Sequence, residues 1–249
     1  MKSVARILAC AAVGMALAGL PLCAPAATVP TAAPLHTSGV KAVYPRLSGL
    51  ADAKAIARVN ALLAAQEKTD RDAYTDCLAQ IKEAKMTPDK DSYAEEIAVR
   101  YLSPRYLSVE VVTSYYCAGA YPTNGAETPM TFDLTAGSQI DWSTMFKPGF
   151  LPSDTADEHT PPSALTKLYR ARYSKAKDDA DCRQAITDQD PFSSPPIVWL
   201  DAKGGVVLQP DFPHVIAACA TPLTLSPTEI APYLKDAKLA ADLKATVHK

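Results

Sequence analysis

The sequence has no basic block. Its 25 Lys and Arg are outnumbered by 27 Asp and Glu, and the formal net charge is −2. With no lysine- or arginine-rich stripe along the chain, a dedicated nucleic-acid surface is not expected. Three common motifs of enzyme chemistry are also missing: there is no His-Glu-x-x-His, no Gly-x-Ser-x-Gly and no P-loop. No internal repeat is visible, and past the first 27 residues no stretch is apolar enough to span a bilayer. Metal knuckles place ligands two to four residues apart. No two cysteines beyond residue 27 stand that close, and the four histidines are scattered. Neither a metal site nor a cofactor is expected.

What remains is the composition of a folded protein. Of 249 residues 48% are hydrophobic, 21% charged and 7% aromatic, enough for a substantial core in one large domain or two small ones. Proline is abundant at 21 residues, where average usage gives about 12. Proline ends helices and avoids central strands, so many short elements and long ordered loops are expected.

Residues 1–26 read as a secretory signal peptide. Lys2 and Arg6 form a basic start, Ile7 to Leu22 are almost entirely apolar or small, and Ala24-Pro25-Ala26 supplies small residues for cleavage. The apolar run falls short of the about 20 residues that a spanning helix needs. The alternative is a lipid anchor at Cys23, against which stand Leu22, where lipoprotein processing favours a small residue, and Pro21. The reading places the mature chain in the periplasm or outside the cell.

Export bears on the cysteines. Cys77, Cys117, Cys182 and Cys219 remain after cleavage, an even number in an oxidising compartment and so two disulfides, with three connectivities open. Sequential pairing, Cys77–Cys117 and Cys182–Cys219, is the expected one. Each bridge would close a loop of about 40 residues, worth about 4 kcal/mol by the loop-entropy argument.

Residues 27–40 are rich in Pro, Thr and Ala and read as a linker or loosely docked arm, and residues 41–249 as a single domain. Helical spacing predicts one helix over 50–66 (Ile56, Val59, Leu62, Leu63) and a second over 70–85 (Tyr74, Cys77, Leu78, Ile81). Alternation then predicts strands at 97–102, 106–117 and 130–134, with Asn124-Gly125 as a turn signal between the last two. A third helix is expected over 163–174, followed by a polar segment that holds Cys182. Strands are expected at 197–200 and 206–209 around Asp201-Ala202-Lys203-Gly204-Gly205, and at 223–225. Ser226-Pro227-Thr228-Glu229 then starts a helix, and the 236–249 tail is helical. The class is α+β: small antiparallel sheets with packed helices in the amino-terminal, middle and carboxy-terminal regions.

Candidate chemistry is sparse. His214 follows Asp211 by three residues, and Asp133 and Asp141 flank a turn. Paired carboxylates can do acid–base work, yet turn and cap duties explain these two more cheaply. The aromatic residues offer another lead. Tyr115, Tyr116 and Tyr121 bracket Cys117 and are candidate ligand-binding residues, because tyrosine gives a large contact area with few rotors. Strand alternation sends Tyr115 to one face and Tyr116 to the other, one toward the core and one toward solvent.

Several segments carry a resemblance in order: Tyr44-Pro45-Arg46-Leu47-Ser48-Gly49, the helix around Asn60, Ser114-Tyr115-Tyr116 running into Ala118-Gly119-Ala120-Tyr121-Pro122, and Phe132-Asp133-Leu134-Thr135-Ala136-Gly137. Phe212 to Cys219 and Leu223-Thr224-Leu225-Ser226 before Tyr233-Leu234 continue it. Over roughly residues 40–236 the chain resembles the RsiV-like domain, an exported bacterial domain of unknown general function. That domain stands at the outer end of the anti-sigma-V factor, where it recognises lysozyme, and beside some peptidoglycan deacetylase domains. The resemblance implies an α+β fold without established catalytic residues. Where the family has a glycine pair, an alanine and a histidine, this chain has Ala118, Gly119, Ala120 and Tyr121, so no role of that histidine carries over. The function expected is non-enzymatic binding of a protein, lysozyme included, or of a peptidoglycan-related envelope component. The alternative is an envelope hydrolase working through carboxylates. Oligomeric state is not read from the sequence.

Overall fold

A computed structural model describes residues 35–38, 44–48, 52–87, 92–118, 123–153, 161–173, 180–188 and 190–246. The signal segment, Cys23 and Tyr121 lie outside them.

The two early helices are one. Helix α1 (Ala53–Glu83) runs for 31 residues, about 46 Å at the α-helical rise, and starts where the Asp52 carboxylate accepts the amides of Lys54 and Ala55. The polar stretch taken for a break is a solvated turn of the same helix. Arg71 pairs with Glu67 and Lys68 with Asp72 at i,i+4 spacing across it. An inner stripe continues through the break at three- and four-residue steps: Ile56, Val59, Leu63, Gln66, Asp70, Tyr74, Cys77 and Ile81. Most of it is buried hydrophobic, but Gln66 and Asp70 place two polar side chains on the inward face.

This helix lies on a six-stranded antiparallel sheet. Strands β1 (Leu35–Ser38), β2 (Tyr93–Leu102), β3 (Tyr106–Tyr115), β5 (Met130–Asp133) and β6 (Ser138–Gln139) follow in that order, and β4 (Thr123–Glu127) also pairs with β3. The arm therefore ends in a strand: Leu35–Ser38 pair with β2 from Ile97 to Ala94. Asn124-Gly125 lies inside β4 and not in a turn. Strands β4 and β5 share one edge of β3, split at Thr128-Pro129, because Pro129 has no amide to continue the ladder. Leu107, Val109 and Val111 of β3 join Ile97 of β2 against Ile56, Val59 and Leu63.

The opposite face of the sheet meets the second half of the chain. Strands β7 (Ile197–Leu200), β8 (Val206–Gln209) and β9 (Leu223–Leu225) form a three-stranded antiparallel sheet. Its turn closes where Asp201 Oδ1 accepts the amides of Lys203 and Gly205. The sheets are joined in the interior by the Ser108 hydroxyl, which accepts the Leu200 amide at 3.1 Å and bonds Thr131 Oγ1 at 3.1 Å. Around them a larger core gathers Tyr106, Phe146, Phe150, Leu165, Tyr169 and Phe192. Helix α2 (Trp142–Met145) follows β6, and α3 (Ala164–Tyr173) guards the open edge of β9. The hydroxyls of Tyr169 and Tyr173 and the Arg172 guanidinium donate to the carbonyls of Thr221, Pro222 and Thr224, occupying an edge that would otherwise invite pairing. The polar segment is helix α4 (Ala180–Asp188), and α5 (Pro227–Ile230) and α6 (Ala237–Thr246) close the chain. The α+β class stands, with two antiparallel sheets.

Candidate functional site

Both disulfides are present with sequential pairing. Cys182 on α4 bonds Cys219 at the end of the short 3-10 helix His214–Cys219 before β9, and Cys77 on α1 bonds Cys117 just past the end of β3. The second bridge fixes the free end of β3 to the helix packed across it. Cys77 is 1% exposed and forms a small core with Ile81 and Tyr93, against which Tyr74 and Cys117 pack.

A tyrosine face is built on this support. Tyr93 and Tyr115 are register partners on β2 and β3, so their side chains share the face of the sheet that α1 covers. Their rings stack at 6.2 Å, and Tyr74 meets Tyr93 edge-on at 5.3 Å. Tyr93 is buried, whereas Tyr115 and Tyr116 are 39% and 36% exposed. Alternation alone assigned one of this pair to the core. Tyr115 is the last residue of β3, while Tyr116 lies beyond the strand, its amide bonded to Ser92 O at 2.9 Å. Two large side chains are thus presented to solvent from a backbone fixed by a ladder on one side and a disulfide on the other.

Behind Tyr93 lies a polar cluster that sequence reasoning missed. Glu95, two residues along β2 on the same face, is 5% exposed and hydrogen-bonds Asp70 of α1. Asp70 also accepts the Tyr44 hydroxyl on Oδ2 and the Gln66 amide at 2.8 Å on Oδ1. Tyr44 is held by its own segment, since Leu47 exchanges two backbone bonds with the Asn60 side chain at 2.8 and 2.9 Å. Burial first, then the neighbouring Asp70 charge, push the Glu95 carboxyl up to about 7. Burial likewise raises the Tyr44 and Tyr93 phenols, with the Asp70 and Glu95 charges adding to it. The signal available in the sequence was the spacing of Gln66 and Asp70 on the inner stripe of a continuous helix.

The other candidates have local duties. Asp133 Oδ1 accepts the amides of Thr135 and Ala136 and the Thr135 hydroxyl, and its Oδ2 faces Arg105 at 3.3 Å. Asp141 caps α2 through the amide and hydroxyl of Ser143. These two carboxylates do not converge on a common point. His214 begins the turn that holds Cys219. Two adjoining grooves of about 550 and 600 Å³ share Ser143, Leu151, Pro152, Ser153 and Asp190, and neither is lined by Asp70 or Glu95. Among the described residues no cluster of three or more His, Cys, Asp or Glu is placed to hold a metal ion, and no helix is long and apolar enough to cross a membrane.

Compared with protein-family models and with curated proteins, the chain matches none. Among solved structures it is similar to the crystal structure of a member of the DUF3298 family from Bacteroides fragilis, at 16% sequence identity over 74% of this chain and 73% of that one, with a TM-score of 0.45.

Proposed function

We propose that this chain is a non-enzymatic, RsiV-like domain of the bacterial envelope that binds a protein or a cell-wall component through the tyrosine face at the end of β3. The observation that carries the reading is the exposure of Tyr115 and Tyr116, at 39% and 36%, on a strand end pinned by Cys77–Cys117. Side chains offered from a rigid backbone lose little entropy when a partner covers them, so their apolar area contributes to affinity with little offset. Two disulfides suit an oxidising compartment, which agrees with a signal peptide at residues 1–26 and a place in the periplasm or outside the cell.

The competing reading, an envelope hydrolase working through carboxylates, finds less support. Asp133 and Asp141 are engaged by a turn and a helix cap, and the Asp70–Glu95 pair opens into neither groove. The experiment has two arms: co-sedimentation with purified peptidoglycan sacculi, and capture on immobilised lysozyme. Retention in one arm, lost when Tyr115 and Tyr116 are both replaced by Ala, is the expected result. Retention in neither arm overturns the reading.

A further inference from the structure

The Asp70–Glu95 pair is chemically unusual for a structural contact. Two ionised carboxylates cannot hydrogen-bond each other, since neither has a proton to donate. Their bond therefore needs one proton between them. Glu95 Oε1 is buried and meets no hydrogen-bond donor among the described side chains. Both Asp70 oxygens are already engaged, one by the Tyr44 hydroxyl and one by the Gln66 amide.

Among the described residues the surroundings supply no countercharge. Toward Glu95 stand Asp70 and Gln66 from α1, Tyr44 from the segment before it, and Tyr93 from β2 itself. Its register partners are Thr113 on β3 and Thr37 on β1, and Tyr115 lies beyond Tyr93. No cation among the described residues acts on Glu95. When the shared proton leaves to water, two negative charges face each other beneath α1, and Glu95 Oε1 has no donor among the described side chains to receive the new one. Glu95 is fixed inside a ladder between β1 and β3, whereas Asp70 is half-buried on the helix. The group that yields is Asp70, and the Tyr44 hydroxyl bonded to it moves as well. Tyr93, two residues from Glu95 on the same face of β2, feels both carboxylate charges and stacks on Tyr115, so it is the residue through which the change reaches that ring.

We infer that Asp70 and Glu95 form a one-proton latch beneath the tyrosine face: with the proton in place α1, Tyr44 and β2 close together and Tyr93 holds Tyr115 in its stacked position, and release of the proton loosens that arrangement. The inference rests on the reading of this face as the binding surface and names its regulation. It is tested without a partner, so that its failure and the failure of binding are separate results.

The experiment is carbon-13 NMR of the oxidised, full chain, following the Glu95 carboxyl and the Tyr93 and Tyr115 rings from about pH 5 to 9, a range in which an ordinary glutamate is already ionised. The latch predicts that the Glu95 carboxyl and the Tyr115 ring shift together, with one midpoint within about one pH unit of neutrality. In Glu95→Gln the Tyr115 ring no longer titrates in that range. In Asp70→Asn, which keeps an acceptor for Tyr44, the Glu95 midpoint falls toward the ordinary carboxylate range. A Tyr115 ring that stays still in the wild type, or titrates unchanged in Glu95→Gln, overturns the latch. If Glu95→Gln does not fold, an unmoved midpoint in Asp70→Asn overturns it.

Discussion

Tyr93 and Tyr115 are register partners on neighbouring strands, and their rings stack at 6.2 Å within 23° of parallel, one buried and the other 39% exposed. The buried ring is thus the base on which the exposed one rests. The two residues are expected to respond differently to truncation.

Tyr93→Ala removes a core ring between Tyr74, Cys77 and Ile81, and should cost about 3–5 kcal/mol of unfolding free energy, the range for large aromatic truncations. Tyr115→Ala and Tyr116→Ala should each cost about 1 kcal/mol or less, since much of each side chain is already in water. Urea unfolding of the three variants is the measurement. A loss near 3 kcal/mol for Tyr115→Ala would assign it to the core.

Removing either disulfide should lower stability strongly. The bridges span 40 and 37 residues of sequence, and loop closure of that length is worth about 4 kcal/mol, or about 8–16 °C of melting temperature in a domain of this size. Paired Cys→Ser substitution with thermal unfolding tests it. Loss of Cys77–Cys117 should also free Tyr115 and Tyr116, seen as faster amide exchange at the end of β3.

Stability should fall as pH rises from the ordinary glutamate range toward neutrality. The Glu95 carboxyl titrates near 4.5 when unfolded and about 7 when folded. Between those values the folded state keeps a proton that the unfolded state has released, so stability declines with rising pH across that window and levels off above it. Glu95→Gln should abolish that slope in urea midpoints measured from about pH 5 to 8. On the acid side, burial works to raise the Asp133 carboxyl but is outweighed by its bonds to Thr135 and Ala136 and by Arg105, which hold it below the usual carboxylate range. Its contribution is present above that range and lost on acidification.

Gly137→Ala should destabilise by more than the about 1 kcal/mol of an ordinary left-handed position. Its φ is +66°, and an added Cβ would stand 2.8 Å from Ala55 Cα and 2.7 Å from Arg58 Nε. The β5–β6 turn would have to withdraw from the start of α1. Chemical denaturation of this variant, with Gly149→Ala as the comparison at positive φ without neighbours within 4 Å, separates the clash from the backbone term.

Much of the fold could be read from the sequence where local chemistry was unambiguous. Strands 197–200 and 206–209 were readable because Asp201 to Gly205 carry turn geometry in their own side chains and backbone. The break assigned near residue 67 failed because charged residues at i,i+4 spacing look like a loop yet suit an exposed helical turn. Strand β4 was hidden by Asn124-Gly125, whose turn preference is overridden by pairing with β3. Helix α4 was hidden by its polarity. Both disulfide pairings were readable, and so was the place of Tyr115 and Tyr116 at the end of a strand. Glu95 was not, since a glutamate beside another glutamate at a strand's start gives no sign that one is buried, and only the packing of α1 brings Asp70 to it.

The central claim is that the exposed tyrosines at the end of β3 form the contact surface. The most direct measurement is the affinity of wild type and of the Tyr115→Ala/Tyr116→Ala variant for lysozyme and for peptidoglycan sacculi, taken with their melting curves. The account predicts that binding to one of these probes weakens about tenfold or more, at least about 1.4 kcal/mol, while the fold and both disulfides persist. Equal affinity in the two proteins, or binding of neither probe by the wild type, would contradict it.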